Sequence, residues 1–291
     1  MPIATMARSV ARSQTLRATR RASRGPDGAA AGDTTIDAPM AIRELYGTPV
    51  RRFEPAPPSA AIISGVQAPP SFRDLTLGQF AERLASADPV PGGGSASAVA
   101  AALGASLVEM VAQLTQGRPK YADHAGLCEA AVPAARALSD ELLRLADDDA
   151  AAYAACAIAL KLPRESFTDQ ELRDRQIRET AQVAAEVPLK CVERCVDALG
   201  IAESLAGRSN KNASSDLRVA SLLLEAAADG AAANVLVNLP LIGSNEWTDA
   251  TAARVDQLMT DAHSIAHRVR EVVESGETRE PVDAVPAWPA R

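Results

Sequence analysis

The chain has 291 residues, of which 47% are hydrophobic and only 3% aromatic, and its net charge is −7. A core of that composition must be built from Ala, Leu and Val, which favours helices packed on helices. Residues 1–70 hold nine Arg and five acids, leaving about −11 on the remainder. That is a poor electrostatic partner for nucleic acid, and no charge-free apolar run of about 18 residues marks a membrane span.

Residues 1–70 have Pro clusters (Pro55, Pro57, Pro58, Pro69, Pro70) and no sustained periodicity, and read as a disordered Arg/Pro-rich extension. The first 25 residues carry six Arg and no acid. A tail, a start upstream of a true one at Met40, and an Arg-rich targeting segment all fit this composition. A helical domain is expected over 71–275. Leu77, Phe80, Ala81 and Leu84 have helical spacing, and Pro89 and Pro91 end that helix. Gly92, Gly93 and Gly94 lead to Ser95, a natural N-cap for an Ala-rich helix over 96–115. Amides at such a helix start can bind an anion, or the glycines can simply make a tight turn. Next comes a basic loop, Gly117-Arg-Pro-Lys120-Tyr121, able to meet an anionic substrate tail or to be a plain surface turn.

A long helix is expected over 125–160. At 100° per residue, Leu138, Leu142, Leu145, Tyr153, Cys156 and Leu160 fall within roughly 40° of Asp149. Asp149 therefore sits on the apolar stripe, either as a structural ion-pair partner or as a carboxyl whose pKa burial raises for proton transfer. Asp147 and Asp148 read as a solvated face. Thr168-Asp-Gln-Glu171 reads as a capping box for a helix to Leu205, with Pro188 kinking or breaking it. The stretch Ser209-Asn-Lys-Asn-Ala-Ser-Ser-Asp216 gathers Asn210, Asn212, Ser215 and Asp216, which either bind a heterocycle or cap the next helix, with Ser214 or Ser215 as its cap. That helix should reach Asn238, with Asn234 and Asn238 on one face. A last helix is expected over 248–273, then a loose tail over 276–291. His263 and His267 are four apart with no Glu between them, and Cys191 and Cys195 lack partners, so no metal site is expected. Cysteines buried in helices fit the cytoplasm better than a disulfide framework.

Five segments, in order, resemble a known family. They are Pro89-Val-Pro-Gly-Gly-Gly-Ser95-Ala, Leu114-Thr-Gln-Gly-Arg-Pro-Lys-Tyr121, Asp149-Ala-Ala-Ala-Tyr153 with Lys161-Leu-Pro163, Ser209 to Asp216, and Gly230 to Asn238. Together they resemble the cyclodeaminase/cyclohydrolase family: the cyclodeaminase domain of formimidoyltransferase-cyclodeaminase and the stand-alone methenyltetrahydrofolate cyclohydrolases. The resemblance runs from about Leu75 to Val273, and Ser209 stands where the family has Gly.

The resemblance implies an all-α, up-and-down bundle that dimerises, with a folate site near the subunit interface and Asp149 catalytic. Asn210, Asn212, Asn234, Ser215 and Asp216 would hold the pterin. Lys120 and the turn Gly92, Gly93, Gly94, Ser95 would hold the glutamate carboxylates, and Tyr121 and Asn238 join the substrate-binding set. The implied reaction is hydrolysis of 5,10-methenyltetrahydrofolate to 10-formyltetrahydrofolate, with formimidoyltetrahydrofolate cyclodeamination as the alternative. Only about 70 residues precede the helical domain, too few for a formimidoyltransferase half, which leans the expectation towards the hydrolase. Neither reaction moves electrons, so no cofactor is expected beyond the tetrahydrofolate substrate, polyglutamylated or not. A non-catalytic helical scaffold and a nucleic-acid binder using the Arg-rich arm are the competing classes.

Overall fold

A computed structural model of the chain describes residues 71–286 and Trp288; the expected N-terminal extension lies outside them. Thr76 and Gln79 form a capping box that opens α1 (Leu77–Leu84). The buried ring of Phe80 in α1 meets Phe72 edge-on at 5.7 Å. Phe72 belongs to a 3-10 turn, Phe72–Asp74, held on α3 (Ala125–Ala159) by Asp147, which accepts from the Ser71 hydroxyl at 2.5 Å and the Phe72 amide at 2.8 Å. Asp147 is therefore an anchor rather than part of a solvated face. A helical wheel gives the side of α3 it occupies, but not that residues 71–74 would lie there.

Four further long helices follow: α2 (Gly93–Thr115), which precedes α3, then α4 (Phe167–Leu205), α5 (Ser214–Ile242) and α6 (Glu246–Ser275). Among the described residues there is no strand, so the expected all-α class holds. The helices alternate in direction. Ser95 meets Asp149 at one end of the α2–α3 pair, and Gln116 meets the Cys128 carbonyl at the other. Likewise Gly93 lies against Asn234 and Thr115 against Asn210, so α5 runs antiparallel to α2. Arg268 and Arg270 of α6 pair with Glu203 of α4 and Glu225 of α5. These partly exposed pairs contribute about 0–1 kcal/mol each, so apolar packing must supply most of the stability.

That packing uses small residues. On α2, Ala98, Ala101, Ala102, Ala105 and Ala112 are buried, and a side chain at Gly104 would start 2.7 Å from Leu224 Cγ. Short side chains bring backbones close, which replaces the contacts that aromatic rings would provide. By length and composition α2 and α5 are each apolar enough to cross a membrane, yet 50% and 44% of their most apolar windows lie buried in the bundle.

Several boundaries differ from the expected ones. Ser95 is the third residue of α2, and Gly92 is its N-cap, with no side chain to offer. Ser166 with Asp169, not Thr168, forms the capping box of α4. Helix α4 runs unbroken through Pro188, which is buried where α4 packs on its neighbours; that packing offsets the roughly 3 kcal/mol a helix-interior proline costs. A 3-10 turn, Lys211–Ala213, capped by Asn210, precedes α5, so Ser214 and Ser215 lie within the helix rather than capping it. Helix α5 continues past Asn238 to Ile242, and Asn245 with Thr248 opens α6 two residues early. Tyr153 is 38% exposed despite its place on the apolar stripe. Helix α2 starts level with Asp149, so α3 loses that neighbour beyond it.

Residues 277–282, expected as tail, are non-helical. They cross the α4–α5 turn, where Arg279 donates its amide to Gly207 and Arg208 donates to the Glu280 carbonyl. Gly207 has φ 75°, and a side chain there would meet the Glu277 carbonyl at 2.9 Å.

Candidate active site

An α-helix begins with amides that have no partner in the helix. At α2 the cap is Gly92, which brings no side-chain acceptor. The acceptor comes from α3 instead, because Asp149 lies against Gly94 and Ser95. The Ser95 hydroxyl is 3.0 Å from Asp149 Oδ2 and 3.0 Å from the Ala146 carbonyl, and the Ser95 amide also serves the carboxylate. Gly94 makes this possible, since any side chain there would overlap the Asp149 carboxylate. The glycine turn does bind an anion, as its motif allows, but the anion is the protein's own carboxylate. Ser95 is fully buried, so it faces Asp149 rather than a substrate tail.

Burial pushes the Asp149 carboxyl above the usual aspartate range, and the hydrogen bonds from Ser95 pull it part of the way back. No charged side chain enters this balance, so the ion-pair reading of Asp149 finds no partner among the described residues. A carboxyl raised by desolvation and still open to proton exchange is suited to acid–base work.

Asn234 joins the same end of the bundle. Its amide nitrogen lies 3.7 Å from where a Gly93 side chain would begin, and it donates to the Gly230 carbonyl at 2.8 Å. Ser97 donates to the Gly93 carbonyl and fills the space that Gly230 leaves open. Asn238 donates to the Ala184 and Asn234 carbonyls, which makes it a stitch between α5 and α4.

The remaining candidates gather elsewhere. Lys120, Asn210 and Asn212 line an open cleft of about 390 Å³ with Arg118, Tyr121 and Lys211. Tyr121 accepts from the Lys211 amide at 3.0 Å, and the Lys120 ammonium lies 5.6 Å from the Tyr121 ring centre. Asn210 is 5% exposed and turned inward. Its amide donates to Thr115, its side chain donates to the Leu114 carbonyl, and its Oδ1 accepts from Asn212. Asn210 therefore fixes the loop to the end of α2, which is the capping reading of that residue. Ser215 and Asp216 sit in the first turn of α5, where an acid complements the helix dipole. Sequence reasoning missed Thr115, Arg118 and Lys211; both cations lie inside motifs already quoted, and charge was the available signal.

The two groups stand at opposite ends of α2. Ser95 and Thr115 are 20 positions apart on one helix, or about 30 Å. One copy of the chain therefore does not bring all the predicted residues together.

Residues 76–257 match the family model described as formiminotransferase-cyclodeaminase. The chain is 32% identical over 200 residues to methenyltetrahydrofolate cyclohydrolase of Methylorubrum extorquens, covering 69% of this chain and 96% of that protein. It is 35% identical over 196 residues to formimidoyltransferase-cyclodeaminase of Rattus norvegicus, covering 67% of this chain but only 36% of the rat protein. Among solved structures it resembles formiminotetrahydrofolate cyclodeaminase of Thermotoga maritima, with a TM-score of 0.64, 27% identity, and coverage of 70% of this chain and 98% of that one.

The raised carboxyl of Asp149 has a stability consequence. Its neutral form fits the folded protein better than its ionised form, so the favourable contribution is present at low pH and fades as pH rises through the folded pKa. Asp149→Asn, which is neutral at every pH, should melt above the native protein at pH 8, and the gap should close towards pH 4 in thermal scans.

Proposed function

The chain belongs to the formiminotransferase-cyclodeaminase family, and from that premise we propose that it is a folate enzyme hydrolysing 5,10-methenyltetrahydrofolate to 10-formyltetrahydrofolate. The observation that carries the reading is Asp149, a partly desolvated carboxyl at the start of α2 with no ion-pair partner among the described residues. The methenyl carbon bridges N5 and N10 as an amidinium cation. Such a cation beside Asp149 favours the ionised form, so substrate binding itself generates the base. Water then attacks the carbon and Asp149 accepts one of its protons. As the C–N5 bond breaks, Asp149 returns that proton to N5. The second water proton leaves to solvent as the formyl carbonyl forms. No electrons move, so the reading assigns no redox cofactor and no metal.

Cyclodeamination is the second reading, favoured by the Thermotoga maritima protein, whose length the chain covers at 98%. In that reaction N10 attacks the formimino carbon on N5, and Asp149 passes the proton to departing ammonia.

The reading includes a homodimer. Ala96, Ala100, Leu103, Leu107, Met110 and Leu114 of α2 are at least partly exposed and repeat every three or four residues, as the seam of a helix pair does. Helix α5, packed beside α2, carries Val219, Leu222, Ala226, Ala233 and Val237 outward at helical spacing, with one turn skipped between Ala226 and Ala233. A two-fold axis across the middle of α2, near Gly104, would cover both seams. It would also bring the Lys120–Lys211 end of one copy to the Asp149 end of the other. The pterin would then lie by Asp149 and Asn234, and the glutamate tail, with one or more carboxylates, by the partner's lysines.

Loss of methenyl absorbance should be accelerated by the native protein and be about 10²- to 10⁴-fold slower with Asp149→Asn. No acceleration by the native protein, with ammonia released from formimidoyltetrahydrofolate, would select the second reading. A scaffold would do neither. Co-expression of Asp149→Asn with Lys120→Ala/Lys211→Ala should yield mixed dimers that recover up to about a quarter of native activity, through one intact site in half the dimers. No recovery above either parent would place each site within a single copy.

A further inference from the structure

The two carboxylate oxygens of Asp149 are not equivalent. Oδ2 faces the Ser95 hydroxyl at 3.0 Å, and that hydroxyl is equally 3.0 Å from the Ala146 carbonyl. Serine has one hydroxyl hydrogen, so it serves one of these two acceptors at a time. The space that Gly94 leaves empty holds the whole carboxylate, both oxygens and Cγ. Ser95 is fully buried, so its hydroxyl is shielded from bulk solvent.

The charged surroundings leave the choice to Asp149 itself. Gly93, Gly94 and Ser95 of α2 bring no charge, and Asn234 of α5 is neutral. On α3, Asp147 is held by Ser71 and Phe72, and Asp148 is exposed. On α4, Glu186 takes a hydrogen bond from Gln182, and neither it nor any other charged group enters the balance at Asp149.

Resting on the reading of Asp149 as proton carrier, we propose that Ser95 is its positioning residue: the hydroxyl hydrogen turns from the Ala146 carbonyl to Oδ2 when the carboxyl ionises, and turns back when it is protonated. The hydrogen never leaves Ser95. The proton exchanged with substrate belongs to Asp149. Hydrogen bonds to ionised acceptors are the stronger ones, so the rotor favours the carboxylate and offsets part of the burial effect. The Ala146 carbonyl lies inside α3, where the helix ladder serves it in either state. Ser95 thus offsets part of the desolvation of a half-buried acid that gives and takes a proton.

The test is a titration of the full chain with ¹³C-labelled aspartate carboxyl carbons, with Asp149→Asn identifying the signal. In Ser95→Ala the Asp149 midpoint should rise by about one pH unit, the size of a charged hydrogen bond of this kind. On the acid side of the native midpoint, kcat/KM should fall by the factor that the midpoint shift dictates, about tenfold, while the alkaline plateau stays within about twofold. Ser95→Cys, similar in size but a weaker donor, should fall between the two. Alanine suits a helix interior, and unchanged far-ultraviolet circular dichroism would show that the bundle is intact. An unmoved midpoint in folded Ser95→Ala overturns the proposal. The titration needs no substrate, so a moved midpoint in a protein that leaves both folates untouched would keep the Ser95–Asp149 coupling and discard the reaction instead.

Discussion

The Asp149 carboxylate at the start of α2 is the contact on which the rest of the site depends. It ties α3 to α2 at the level where α2 begins, and it replaces a cap that Gly92 does not supply. The contact requires Gly94, because a side chain there would take the place of the carboxylate. It also requires Ser95 to be buried, and among the described residues it leaves a partly desolvated acid with neutral hydrogen-bond donors. A structural carboxylate at a helix start interacts favourably with the helix dipole when it is ionised. Here burial works against ionisation, which is the arrangement expected of a group that exchanges protons.

The Ala-rich core and the length of α2 set the second constraint. Small residues bring α2, α3 and α5 close enough for Asp149 and Asn234 to flank the glycine turn. The 23-residue α2 then carries the basic cleft about 30 Å away, beyond the reach of one folate-sized site within a single copy. The outward seams on α2 and α5 give a physical reason for the proposed pairing, and pairing about the middle of α2 would make one site from two distant halves.

The helical class was legible because composition and period agree over long segments. Asp149 was legible for a sharper reason: a charged residue at the centre of an apolar stripe conflicts with its surroundings, and such conflicts concentrate at functional positions. The resemblance added the family and the order of motifs. Helix ends were less legible, because several neighbouring residues can cap and tertiary contacts choose among them. Ser95 could serve as a cap by type, but α3 supplies the acceptor and draws its side chain inward. Asn210 has the chemistry of a ligand, yet its groups are taken by Thr115, Leu114 and Asn212, which lie far from it in sequence or reach it through the backbone. The separation of the two clusters follows from helix length, and sequence reasoning about motifs, taken one at a time, does not register it.

The most direct test of the account is the pH dependence of kcat/KM for hydrolysis of 5,10-methenyltetrahydrofolate, corrected for the uncatalysed reaction. This quantity reports ionisations of the free enzyme. The account predicts that activity falls on the acid side through a single ionisation lying above the ordinary aspartate range, as burial of Asp149 requires. A profile that stays level through that region, or falls only where an exposed aspartate would titrate, would contradict the assignment of the half-buried Asp149 as the base.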